Sequence, residues 1–182
     1  MEKQLIAHCA PTLAGIKPAN LFRYIFSDEE ALASAVSGAN GHLNPKGIYV
    51  EILRADACGA LLLVYRLSLL STALARRGTR DFLAKYGYQM GSAAGCIDSL
   101  KSRFGSDCEF PHEIGIFLGY PLDDVIGFIN NRGQNSKHTG CWKVYHNEKE
   151  AIERFGRYKR CTLTYARLFS QGRSIEWLTV AV

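Results

Sequence analysis

The chain has 182 residues, of which 47% are hydrophobic, 11% aromatic and 21% charged. That is ordinary globular composition, which excludes disordered, collagen-like and coiled-coil chains, and no run approaches the ~20 apolar residues of a membrane helix. Lys plus Arg number 22 against 17 acids, a formal charge of +5 and a pI near 8.9, a mild surplus that favours anionic partners without the dense patch of a nucleic-acid binder. A single domain over residues 1–182 is expected from the length.

Near the N-terminus, His8, Cys9 and Pro11 interrupt any apolar run of the kind a signal peptide needs. Ile6-Ala7-His8-Cys9 is only superficially a lipoprotein box, because His8 stands where a small residue belongs. Pro11 is favourable in a first helical turn, which predicts a helix starting near Cys9. Ser27 is expected to cap a short helix from Asp28 to Val36, with Glu29 and Glu30 in its first turn. Gly38, Asn40, Gly41, Asn44, Pro45 and Gly47 then read as a loop. Ile48–Arg54 and Ala60–Arg66 read as strands joined by a turn at Asp56–Gly59.

Leu67–Tyr86 carries helical spacing weakened at Gly78, and Ser92–Phe104 reads as a helix capped by Gly105. Pro111–Leu118 and Leu122–Asn131 read as a helix pair broken by Gly119-Tyr120-Pro121. Trp142–Tyr145 alternates as a strand. Asn147 caps a long helix reaching about Phe169, and 174–182 reads as a strand or an extended tail. The sum is an α+β domain: a small antiparallel sheet, with strands near 48–54, 60–66 and 141–145, packed with helices.

Six cysteines are present, Cys9, Cys58, Cys96, Cys108, Cys141 and Cys161, without a C-x-x-C pair or zinc-finger spacing. They predict a cytoplasmic protein with reduced thiols.

Three stretches carry a family resemblance: HCAPTLAGIKPANLF at 8–22, FPHEIGIFLGYPLDDVIGFI at 110–129 and GCWKVY at 140–145, with FLAKYGY at 82–88 in support. Together they resemble the DUF3793 family, single-domain proteins from anaerobic Firmicutes such as clostridia. The resemblance implies a bacterial cytoplasm and one domain; it names no reaction. Its motifs direct attention to His8, Cys9, Lys17, Asn20, His112, Glu113, Gly119 and Trp142.

Cys9 at a helix N-terminus would be favoured as a thiolate, with His8 or His112 as its base or acid. The order Cys9, His112, then Asn130 or Asn147, with Gln4 upstream as an oxyanion donor, loosely resembles papain-like enzymes, whose G-S-C-W type signature is absent here. The bland alternative is a buried structural cysteine. Lys17 and Asn20 flank Pro18, where irregular backbone would let them hold a phosphate or carboxylate; the alternative is a solvated lysine and a capping asparagine. Tyr65 and Arg66 end a strand where a sheet presents polar groups to a pocket. Glu113 is accounted for by a helix dipole or by a substrate. A mixed iron or zinc site of Cys9, His8, His112 and Glu113 requires the fold to join them, and H-E-I-G-I lacks the second histidine of a zincin.

The 111–131 pair has the rhythm of a helix-turn-helix, but Asp123 and Asp124 begin its second helix, where they repel DNA. Arg154, Arg157, Arg160 and Arg167 share one side of the long helix, either as a solvated face or as a dock for an acidic redox protein. Two functional classes stay open. One is a thiol-dependent enzyme acting on a small anionic substrate through Cys9. The other is a non-catalytic protein that carries iron, haem or a small ligand, or docks on an acidic partner. Nucleic acid and membrane are not expected partners.

Overall fold

The computed structural model describes residues 1–105 and 110–181; Cys108 and Val182 lie outside them. The chain runs α1 (Glu2–Leu13), β1 (Ala19–Tyr24), α2 (Glu29–Leu43), a 3-10 turn (Asn44–Lys46), β2 (Ile48–Asp56) and β3 (Gly59–Arg66). It continues with α3 (Leu67–Ala75), α4 (Arg77–Ala84), α5 (Ala93–Gly105), α6 (Ile114–Phe117) and α7 (Leu122–Asn130). β4 (His138–Thr139), β5 (Lys143–Val144), α8 (Glu148–Ser170) and α9 (Ile175–Leu178) complete it.

The apolar run of β3 explains the architecture. β3 is the central strand of an antiparallel sheet ordered β1-β3-β2, and it is buried on both faces. Alternate residues therefore serve two cores. Ala60, Leu62 and Val64 pack with α1, α2 and α9 residues such as Leu5, Leu13, Leu43 and Ile175. Leu63 and Tyr65 pack on the other face with α3, α5 and α6 residues such as Leu70, Leu100 and Phe117. The α+β class with a small antiparallel sheet is as expected.

Its third strand is not. Ala19–Tyr24 fills that place, pairing Asn20 with Val64 and Phe22 with Leu62. The expected strand at 141–145 instead pairs only with His138–Thr139 in a separate two-stranded ribbon. A four- or five-residue alternation states that a segment is extended, not which edge it joins.

Other boundaries moved for identifiable reasons. Pro11 lies inside α1, not in its first turn, so Cys9 is deep in the helix and not at its N-terminus. α2 is capped by Asp28, whose carboxylate accepts from Ala31 N at 2.8 Å, and it continues through Gly38 and Gly41 to Leu43. Leu32, Ala39 and Leu43 are buried along one stripe, and that packing offsets the ~1 kcal/mol cost of each helical glycine. The 67–86 segment breaks at Arg76, in extended backbone, rather than at Gly78. Only Ile114–Phe117 of the 111–118 segment is helical. The C-terminal segment forms α9, capped by Ser174, instead of a strand.

Arg66 joins these parts. Fully buried, it donates to the carbonyls of Thr12, Leu13, Lys46 and Val180. It thereby satisfies carbonyls at the end of α1 and anchors the C-terminal segment, whose Val180 N–H also donates to Leu13 O.

Candidate functional site

α1 ends in a turn that points one lysine inward. Gly15 takes φ +72°, and the N–H groups of Ile16 and Lys17 both donate to Pro11 O, at 3.0 and 3.1 Å. Pro18 follows, and its carbonyl accepts from Arg66 N at 2.8 Å, which starts β1. Lys17 is held between helix and strand with only 5% of its surface exposed.

Its ammonium lies 5.4 Å from the Tyr120 ring centroid and 5.8 Å from that of Tyr158. Among the described residues no carboxylate lies within ion-pair distance of it. Burial lowers its pKa to about 8, a shift that the nearby thiols of Cys141 and Cys9 partly oppose.

Tyr120 is placed by the glycine before it. Gly119 has φ +75°, and a Cβ there would lie 2.5 Å from Pro18 Cγ. Gly119→Ala is therefore expected to cost about 1–3 kcal/mol in denaturant unfolding, from backbone strain and the clash together. An unchanged midpoint would show that Gly119 and Pro18 separate freely. The Tyr120 ring stacks on Trp142 at 4.9 Å, and its hydroxyl donates to Cys141 O at 3.2 Å.

Asp124, 2% exposed, fixes the segment that carries Trp142. Its carboxylate accepts from Trp142 Nε1 at 2.7 Å, Tyr145 N at 2.7 Å and His146 N at 2.9 Å. Gly140 lets the segment close on α8, since a Cβ there would overlap the Phe155 ring.

The result is a cavity of about 520 Å³ between α1, β1 and α8. Lys17, His8, Asn20, Tyr120, Cys141 and Tyr158 supply its chemistry. Phe155, Leu21, Leu118 and Leu163 supply apolar wall, Lys159 adds a second cation, and among the described residues its lining contains no carboxylate. Asn20 Oδ1 accepts from Thr12 Oγ1 at 2.7 Å, so the amide N–H groups of Asn20 are the ones left for a ligand. His8 stacks on Phe22 at 5.3 Å.

The other residues expected from sequence lie elsewhere. Cys9 is fully buried in the apolar cluster with Leu5, Ile6 and Leu13, and burial pushes its thiol far up, against the smaller opposing effect of Lys17. His112 is exposed between Phe110 and Phe128, on a second, largely apolar cavity of about 360 Å³. The two cavities share Leu21, Leu118 and Tyr120. Glu113 is buried, accepts from Tyr88 OH at 3.0 Å and pairs with Arg103. Tyr65 stacks on Tyr49, with burial pushing its phenol up to about 12.

Four of the five N–H donors of Arg66 go to backbone carbonyls. Among the described residues, no group of three or more His, Cys, Asp or Glu side chains is disposed to hold a metal ion. Arg157, Arg160 and Arg167 are exposed, and Arg154 pairs with Glu150 at 2.5 Å.

The cavity draws together all three stretches that carried the resemblance: His8, Lys17 and Asn20 from the first, Leu118 and Tyr120 from the second, Cys141 from the third. The family model described as protein of unknown function (DUF3793) matches residues 5–179. The chain belongs to the DUF3793 family. No curated protein and no solved structure matches it.

Within this DUF3793 chain, sequence reasoning missed Tyr120, Cys141 and Tyr158 as site residues. The signal for the first two was their place inside the GYP and GCW motifs. For Tyr158 it was the apolar side of α8, where Phe155, Tyr158 and Thr162 recur at helical spacing. No described helix is long and apolar enough to cross a membrane.

Proposed function

We propose that this chain binds a small anionic molecule, a carboxylate or a phosphate, in the Lys17 cavity, within a bacterial cytoplasm. One observation carries the reading: a lysine that is 95% buried, opens on a cavity and, among the described residues, faces no carboxylate. A buried charge ordinarily has a partner, and here a ligand is the group that would supply it. Asn20 N–H, His8 and Lys159 add donors around the same space. The apolar wall suits an anion carrying an apolar body. Five cysteines, Cys9, Cys58, Cys96, Cys141 and Cys161, are free thiols, which supports a reducing compartment.

A catalytic thiol is the second reading, and Cys141 supports it better than Cys9. Cys141 lines the cavity, and although burial raises its pKa, Lys17 pulls it down. The protonated Cys9 thiol is sealed on the core face of α1 among Leu5, Ile6 and Leu13.

The test is thermal unfolding near pH 7 with phosphate, acetate or benzoate, at ionic strength matched with chloride. At least one anion is expected to raise the wild-type midpoint, by up to about 2.7 kcal/mol at a hundredfold excess over its Kd, and to leave Lys17→Met unmoved. Equal shifts in both proteins would refute the site.

A further inference from the structure

We infer that Lys17 is an imine-forming lysine, whose amine condenses with the carbonyl of a small oxo acid, an aldehyde or ketone next to a carboxylate, held in the cavity. This rests on the anion-binding reading and names its substrate class. Three features of the geometry carry it. The amine faces a cavity rather than bulk water, with two phenol rings beside it. Among the described residues it forms no ion pair, so losing a proton breaks no salt bridge. The lining places further donors, Asn20 N–H and Lys159, where the carboxylate of such an acid can be held while the carbonyl meets Nζ.

Burial acts in the same direction. With its pKa lowered to about 8, about a tenth of the Lys17 side chains are neutral at pH 7, against fewer than about one in a thousand for a solvated lysine. Tyr158 adds a proton donor. Its phenol donates to no group among the described residues, and burial keeps it protonated by raising its pKa.

The step balances without a redox partner. The Nζ lone pair attacks the carbonyl carbon and forms the C–N bond. The C=O π pair moves onto oxygen, which takes a proton to give a carbinolamine. The hydroxyl then leaves as water as the nitrogen lone pair forms the C=N bond. Overall, ammonium and carbonyl give a protonated imine and water, with the positive charge conserved.

The experiment uses the wild-type chain with glyoxylate and cyanoborohydride near pH 7, read by peptide-mapped mass spectrometry. Hydride reduction of the imine leaves a stable adduct equal to the acid less one oxygen atom. Lys17 is expected to be labelled at least about ten-fold faster than the exposed Lys3 and Lys149. Excess acetate should protect it, and acetaldehyde, which lacks the carboxylate, should label it more slowly than glyoxylate. If Lys17 is labelled no faster than Lys3 while acetate or phosphate still raises the unfolding midpoint through Lys17, imine formation is overturned and anion binding stands. If neither anion moves the midpoint and acetate gives no protection, both readings fall together.

Discussion

Lys17→Met is expected to raise stability at pH 7 by about 2 kcal/mol while removing the anion-dependent stabilisation. Methionine fills a similar volume without a charge, whereas the wild-type chain holds an ammonium that water would solvate better. A folded pKa of about 8 against the ordinary 10.5 corresponds to an upper bound of about 3.5 kcal/mol, since each pH unit is about 1.4 kcal/mol. Loss of the contacts with Tyr120 and Tyr158 reduces it by about 0.5–1 kcal/mol.

The pH dependence separates this from a packing effect. Below pH 8 both folded and unfolded states carry the proton, and the penalty is fully present. Between about 8 and 10.5 the unfolded chain binds more protons than the folded one, so wild-type stability rises with pH relative to the variant. The urea midpoints of wild type and Lys17→Met should therefore lie closer together at pH 10 than at pH 7. A stability difference that stays constant across that window would mean that Lys17 is not a buried cation in the folded chain.

Asp124→Ala is expected to destabilise by about 3–5 kcal/mol, lowering the melting temperature by about 10 °C. The substitution orphans Trp142 Nε1–H and the N–H groups of Tyr145 and His146 at once. It should also weaken anion binding, because Trp142 backs the Tyr120 ring and the same segment carries Cys141. Asp124→Asn keeps the shape and one acceptor oxygen, so its loss should fall between wild type and alanine. Melting curves within about 1 kcal/mol of wild type for the alanine variant would show that water replaces the carboxylate, and that the segment is held by the Trp142–Phe155 contact instead.

The site was partly legible. Lys17 and Asn20 stood out because Pro18 interrupts regular backbone between them, and the fold brings both to one cavity with His8. Cys9 and His112 drew attention through their reactive side chains. Neither residue type says which side of its element faces a cavity. The strand reading of 141–145 was right about an extended backbone and silent about its edge. Asp124 was read as an acid at a helix start, unfavourable to DNA; its part in holding the Trp142 segment depends on residues 18 to 22 positions away.

Periodicity and capping are local, and so the sequence by itself determined the α+β class, the paired strands 48–54 and 60–66, the Asn147 cap and the long closing helix. That the apolar strand 60–66 is covered on both faces came from the helices that pack on it. Only the tertiary structure decided that Ala19–Tyr24 is the third strand, that Cys9 faces a core, and that Tyr120, Cys141 and Tyr158 surround Lys17. Those outcomes depend on burial and charge, which come from segments distant in the chain. A lysine in a loop is a solvated cation until the helix, turn and ribbon that close over it remove the water.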